Sequence, residues 1–327
     1  MTSTRENVLI TVAELAAELD NHGTDPSEGA PLVLDVRWEL PSPTTLDYHG
    51  HADYLTGHIP GAVFVDMDQE LAAPPSAAGG RHPLPATEDF QEAARRWGVR
   101  QDSNVVVYDS IGGVAAARAW WLLKYMGLGA GGSGAGGSGS DGADAGGSGA
   151  GGSGTVRILD GGLDEWEISG HRIDSGEVIA EPGDVVCAPG QMPVLDADDA
   201  AQYAAGNASG ESILFDARGG ARYRGDVEPI DPVAGHIPGA VSAPTGHNLT
   251  RDGLFRSDEE LHARFDAHYA LGGKKIGVYC GSGVTASHQV AALAIIGHPS
   301  AVYTGSWSQW CNDPSRPVAT GPDPTRS

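Results

Sequence analysis

One stretch of this chain sets a single cysteine where it could act as a nucleophile. In Ile276-Gly277-Val278-Tyr279-Cys280-Gly281-Ser282-Gly283-Val284-Thr285-Ala286, a β-rich run ends at Cys280, small residues follow, and a helical pattern begins at once. A strand that runs into a tight loop before a helix aims backbone N–H groups and the positive helix end at one point. Such surroundings favour the thiolate, which is the attacking form of a cysteine. Gly281 and Gly283 permit a tight curl with donors turned inward, so residues Gly281, Ser282, Gly283, Val284 and Thr285 form the expected anion loop. The other two cysteines lack this setting. Cys187 lies in irregular sequence and Cys311 follows a late aromatic cluster, so neither is expected to react.

The chain contains its own control. Asn104–Ala115 (NVVVYDSIGGVA) parallels Lys275–Ala286 (KIGVYCGSGVTA), and Asp109 stands where Cys280 does. A carboxylate is a poor nucleophile towards sulfur, so this copy of the loop is expected to be silent. One active and one inactive copy imply that the first domain supports or covers the site of the second.

The repeat extends further. GHIPGAV occurs at Gly57–Val63 and again at Gly235–Val241, and LVLDVR (Leu32–Arg37) matches ILFDAR (Ile213–Arg218). The offset is 171 residues at Tyr108 and Tyr279 but 144 at Gly161 and Gly305. The difference of 27 is close to the length of residues 129–154, which contain only Gly, Ala, Ser and Asp. That run has nothing to bury and reads as an insertion between a helix and the next strand, not as a domain boundary. The predicted organisation is therefore 1–177 for a first domain, 178–192 for a linker and 193–327 for a second domain. Within the second domain, short apolar runs at Ile213–Phe215, Gly239–Ser242, Ile276–Tyr279 and Ala301–Tyr303 alternate with helical patterns at Asp258–Tyr269 and Thr285–Ile296. In the first, Val114–Met126 reads as a helix. Such alternation indicates an α/β fold: two similar domains in tandem, each a mainly parallel sheet flanked by helices.

These residues resemble those of the tandem-domain rhodanese-type sulfurtransferases. The matching motifs are Tyr54-x3-His58-Ile59-Pro60-Gly61-Ala62, the loop CGSGVTA, and Tyr303-Thr304-Gly305-Ser306-Trp307-Ser308-Gln309-Trp310. The resemblance implies an inactive N-terminal and a catalytic C-terminal rhodanese-like domain. It also implies a ping-pong reaction in which Cys280 takes a sulfane sulfur from a small anionic donor as a persulfide. The loop N–H groups would hold that persulfide, and a thiol, cyanide or a thioredoxin-like protein would remove the sulfur. Gly281 and Ser282 after the cysteine resemble the 3-mercaptopyruvate enzymes, where the serine is thought to polarise the keto acid. His58 is the implied partner of Ser282, with Asp53 or Asp47 completing the relay. Arg222 matches the first of two arginines that hold the donor carboxylate. The second position falls near Asp231, which is not basic, so Arg218 and Arg224 are candidates to replace it; in this respect the pattern is closer to the thiosulfate enzymes. Thiosulfate as donor, and a carrier that binds sulfur without turnover, are the alternative readings.

Composition narrows the field. The chain has 327 residues with 43 acidic and 20 basic side chains, a formal charge of −23. No basic field exists to replace phosphate counterions, which argues against nucleic acid and equally against an anionic membrane. No apolar run approaches the ~20 residues of a membrane helix, and three cysteines do not make a disulfide framework. A cytoplasmic location is expected. No cofactor is implied, and no metal site is expected, since no His-Glu-x-x-His pattern occurs. A phosphatase-type loop would need Cys-x5-Arg, and the sixth residue after Cys280 is Ala286.

Overall fold

The strand patterns read above fold into two five-stranded sheets in which every pairing is parallel. The computed structural model describes residues 4–39, 50–129, 154–267, 269 and 271–323. Sheet one contains β1 (Leu9–Ile10), β2 (Leu32–Asp35), β3 (Val63–Phe64), β4 (Val105–Tyr108) and β5 (Val156–Leu159), in the order β1-β5-β4-β2-β3. Sheet two contains β6 (Val194–Leu195), β7 (Ser212–Asp216), β8 (Val241–Ser242), β9 (Lys275–Tyr279) and β10 (Ser300–Tyr303), in the equivalent order β6-β10-β9-β7-β8. The two-residue edge strand β6 had no counterpart in the apolar pattern, because so short a strand leaves no periodicity to read.

Helices α1 (Val12–His22), α2 (Gly50–Thr56), α3 (Met67–Glu70), α4 (Thr87–Arg96), α5 (Val114–Tyr125) and α6 (Gly162–Ile168) flank the first sheet. Helices α7 (Ala197–Ala205), α8 (Gly220–Arg224), α9 (Asp258–His262), α10 (Val284–Ile295) and α11 (Ser306–Trp310) flank the second. The helix expected over 258–269 keeps α-geometry only to His262 and widens into a π-type turn at Ala263–Ala267. Between Ile168 and Val194 the described backbone has no helix and no strand longer than an isolated bridge. Part of it lies along the first domain, with Val185 bonded to Val99 and Ala188 to Met126.

Both central strands are buried on both faces, which is why VVVY and IGVY read as unbroken apolar runs. Helices α5 and α10 are mostly apolar and buried all round, with Ala115–Leu123 and Ala286–Leu293 wholly buried. Such helices belong in an interior. They pack against each other, so the facing sides of the two sheets share one hydrophobic cluster running through Trp120, Trp121, Val290 and Leu293. The opposite faces carry their own smaller clusters, around Leu15 and Trp166 in one domain and Leu214 and Trp310 in the other.

The ends of the glycine run are described although residues 130–153 are not. A Cβ built on Gly129 would lie 3.6 Å from the Gly154 carbonyl. The chain thus leaves α5 and re-enters β5 at neighbouring points.

Candidate active site

Cys280 sits at the C-terminal end of β9, between that strand and α10, and is almost fully buried. Gly283, the N-cap residue of α10, has φ 87°, a conformation that only glycine adopts without strain. Its N–H donates to Cys280 Sγ at 3.1 Å. Gly281 is small for a different reason: a Cβ there would come within 3.0 Å of Arg81 Nη2 and 3.5 Å of Arg222 Nη1. The aromatic segment at the C-terminus braces the loop from behind. Cys280 N donates to Ser306 Oγ at 3.2 Å, Trp307 N to Cys280 O at 3.0 Å, and Ser308 N to Gly281 O at 2.8 Å. Ser306 holds this position at φ 53°, the one non-glycine with positive φ among the described residues. At the other two cysteines, Cys187 and Cys311, burial pushes the thiol up to about 11.

Ser282 makes a chain of contacts that spacing alone did not reveal. Its Oγ lies 2.7 Å from His82 Nδ1, and His82 Nε2 lies 3.2 Å from Asp68 Oδ1. The carboxylate can only accept, so Nε2 carries the proton and Nδ1 accepts from the serine hydroxyl. Burial pushes the His82 imidazole below its ordinary value, with Asp68 opposing that shift, so the ring is neutral at pH 7. The result is a Ser–His–Asp relay that crosses the domain interface.

The structure does not bring His58 to Ser282. His58 Nδ1 donates to Tyr54 O at 2.9 Å, and in the second copy His236 Nδ1 donates to Tyr223 O at 2.8 Å. The tyrosines repeat too, donating to Ala62 O and Ala240 O. A residue that makes the same bonds in the silent and the cysteine-bearing repeat belongs to the shared framework. Asp53 is exposed on α2, away from this relay, and Asp47 lies outside the described residues.

The arginines divide in the same way. Arg218 is buried, paired with Asp216 at 2.6 Å, bonded to Gly235 O at 2.6 Å and stacked 4.7 Å from the Trp307 ring. Arg37 in the silent repeat pairs with Asp35 and bonds Gly57 O in the same manner. Arg218 is therefore framework and not a replacement donor anchor. Arg224 pairs with the exposed Asp226 at the surface. Arg222 does face the loop, held by Glu228 at 2.6 Å and Asp231 at 3.1 Å. Beside it stands Arg81, which the sequence reading missed, paired with Asp231 at 2.5 Å. Asp231, the acid at the expected arginine position, thus orients two guanidinium groups from two domains.

Arg81, His82 and Asp68 had one available signal. Counting back from the helix starts, positions 81 and 82 align with Asp252 and Gly253 in the second copy, so these residues break the repeat. Away from this site, His262, Asp266 and His298 come together. The spacing search overlooked that group because one histidine is remote in sequence. The Asp266 carboxylate bonds both rings at 2.6 Å, so the group closes on itself.

A cysteine held at a strand end by a helix N-terminus, beside a Ser–His–Asp chain that ends at the exposed Asp68 and a pair of arginines, is a candidate site for thiol-dependent group transfer on a doubled parallel α/β fold. Comparison with known proteins refines that class. The rhodanese-like domain family matches residues 11–169 and 191–313. A Pseudomonas aeruginosa protein named as a probable 3-mercaptopyruvate sulfurtransferase is 42% identical, over 96% of this chain and 98% of its own length. The Mycobacterium tuberculosis protein SseB, provisionally named a thiosulfate sulfurtransferase, is also 42% identical, over 97% of this chain and 98% of its own. The crystal structure of SseA from Escherichia coli, a 3-mercaptopyruvate sulfurtransferase, has 30% identity and a TM-score of 0.68, covering 94% of this chain and all of that one. The chain belongs to the rhodanese family as a tandem-domain sulfurtransferase. Among the described residues, no helix is long and apolar enough to cross a membrane.

Proposed function

We propose that this enzyme moves the sulfur of 3-mercaptopyruvate to a small thiol or a thioredoxin-like acceptor through a persulfide on Cys280. The observation that carries the donor assignment is the relay from Ser282 through His82 to Asp68. The Cys280 thiolate attacks the donor sulfur, and the C–S bond pair leaves with carbon as the enolate of pyruvate. Ser282 follows Cys280 by two residues, and its one hydroxyl proton would swing from His82 Nδ1 to the keto oxygen as that oxygen takes up charge. The donor thiol proton passes to the enolate carbon, so no outside oxidant or reductant is needed. The acceptor thiolate then attacks the outer sulfur and releases Cys280. All three cysteines are free, as a reducing cytoplasm would keep them.

The donor carboxylate would sit on Arg81 and Arg222. Glu228 and Asp231 already neutralise these two guanidinium groups, which suits one carboxylate better than the dianion thiosulfate. The test is a side-by-side measurement of kcat/KM. Mercaptopyruvate should exceed thiosulfate, and Arg81→Ala should raise KM for mercaptopyruvate roughly tenfold, the loss of one charged contact. The reverse donor ranking would overturn the assignment, and a single equivalent of sulfur without turnover would make the protein a carrier.

A further inference from the structure

Arg118 is a buried cation without a carboxylate. It lies on α5 of the silent domain, is fully buried, and forms no ion pair with any described carboxylate. Its Nε and Nη2 donate to backbone carbonyls of Leu71 at 3.3 and 3.2 Å, and Nη2 also reaches His82 O at 3.2 Å. Nη1 has no hydrogen-bond partner among the described residues. That free edge points at the cysteine loop: a Cβ on Gly283, whose N–H holds Cys280 Sγ, would lie 3.4 Å from Nη1. Leaving a guanidinium unpaired in an interior costs several kcal/mol, so a nearby anion is expected to offset it. The candidate on the loop that Nη1 faces is the sulfur of Cys280. Burial pulls the Arg118 guanidinium down to about 10, and the opposing interaction comes from Cys280.

The pseudo-symmetric position makes the same point by contrast. Counting from the helix starts, Arg118 on α5 corresponds to His288 on α10. Each side chain crosses the interface to the other domain's loop. The Cβ that Gly113 lacks would sit 3.6 Å from the His288 ring, as the Gly283 position does from Arg118. Burial pushes His288 down to about 4, so it is neutral where it faces the loop of Asp109. A neutral ring faces the loop that already holds a carboxylate, and a cation faces the loop that holds a thiol.

We infer that Arg118 is the fixed counter-cation, supplied by the N-terminal domain, for the sulfur anion carried at Cys280 before and after sulfur is loaded. This rests on Cys280 being the sulfur carrier. It acts through the charge of the cysteine sulfur and is a positioning residue, touching neither donor nor acceptor.

The test is the rate of Cys280 alkylation by iodoacetamide as a function of pH, read on the Cys280 peptide by mass spectrometry. Arg118→Gln keeps an N–H for the Leu71 and His82 carbonyls while removing the charge; if it does not fold, Arg118→Met carries the same comparison. Loss of the cation should move the profile to higher pH by about one unit, lowering the rate at pH 7 roughly tenfold. Arg118→Lys should restore most of it. A purely structural role would lower the melting temperature without moving the profile. An unmoved profile in Arg118→Gln, or an equal displacement in Arg118→Lys, overturns the inference. The underlying reading fails separately, if the unsubstituted enzyme still transfers sulfur after Cys280 is fully alkylated.

Discussion

The two loops that leave the central strands, one ending in Asp109 and the other in Cys280, share a geometry and differ in what fills it. Both lead into a helix whose N-cap glycine has positive φ, 83° at Gly113 and 87° at Gly283. In the first domain the Asp109 carboxylate accepts N–H bonds from Ile111 (2.9 Å), Gly113 (2.8 Å), Ala115 (2.7 Å) and Ala116 (2.9 Å). All four contacts are N–H donors and favour the ionised form, against burial, which pushes the Asp109 carboxyl up. In the second domain Cys280 Sγ takes one such bond, from Gly283. The loop is an anion cradle in both copies. One is filled by its own side chain; in the other, counting from the helix starts, the N–H groups of Thr285 and Ala286 are the counterparts of those of Ala115 and Ala116. The first cradle lacks a thiol and is also filled by its own carboxyl group.

Exchanging the contents of the two cradles gives the largest effects. Cys280→Ser should lower sulfur transfer by more than about 1,000-fold while leaving the melting temperature within a few degrees. Residual turnover near the unsubstituted rate would show that the second cradle is not the catalytic one. Asp109→Ala should leave four N–H groups unmatched, three of them buried, and cost about 3–5 kcal/mol in urea unfolding. A cost below about 1 kcal/mol would mean that the first cradle is not held shut by its carboxylate.

Acid should separate the two interface positions. His288 has a folded value of about 4 against an ordinary 6.5, so only the unfolded chain takes up its proton readily. The stability this group provides is complete above pH 6.5 and is lost as pH falls towards 4, by up to about 3 kcal/mol. Urea unfolding at pH 7 and pH 4.5 should show a shallower loss in His288→Gln than in the parent; equal slopes would refute the assignment. Ser282→Ala should lower kcat/KM for mercaptopyruvate about 100-fold, the scale of one positioned proton relay, and act less on thiosulfate. The smallest effect belongs to residues 130–153. Because their flanks meet at Gly129 and Gly154, joining those ends should leave activity and melting temperature nearly unchanged, and a large loss would show that the insertion contributes contacts.

Much of this enzyme is legible along the chain. Parallel strands buried on both faces must be unbroken apolar runs, and a cysteine between such a strand and a helix has few other purposes. Tandem copies expose themselves by repetition, and repetition carried a trap at His58 and Arg218. Both look functional because they sit in motifs, yet each makes the bonds of its counterpart in the other repeat, His236 for His58 and Arg37 for Arg218. Repeated residues mark the frame, and the residues of the first domain that meet the Cys280 loop, Arg81 and His82, break the repeat.

By itself the sequence determined the doubled α/β fold and the place of the glycine run between α5 and β5, and it singled out Cys280 with Arg222 as the candidates of the second domain. Those features depend on local patterns, on backbone periodicity and on spacing within one domain. Only the tertiary structure decided the partners that meet them. Asp68, Arg81, His82 and Arg118 lie far from Cys280 along the chain and reach it because α5 packs against α10. The face that one wholly buried helix turns towards another is fixed by packing, and periodicity has no means of recording it.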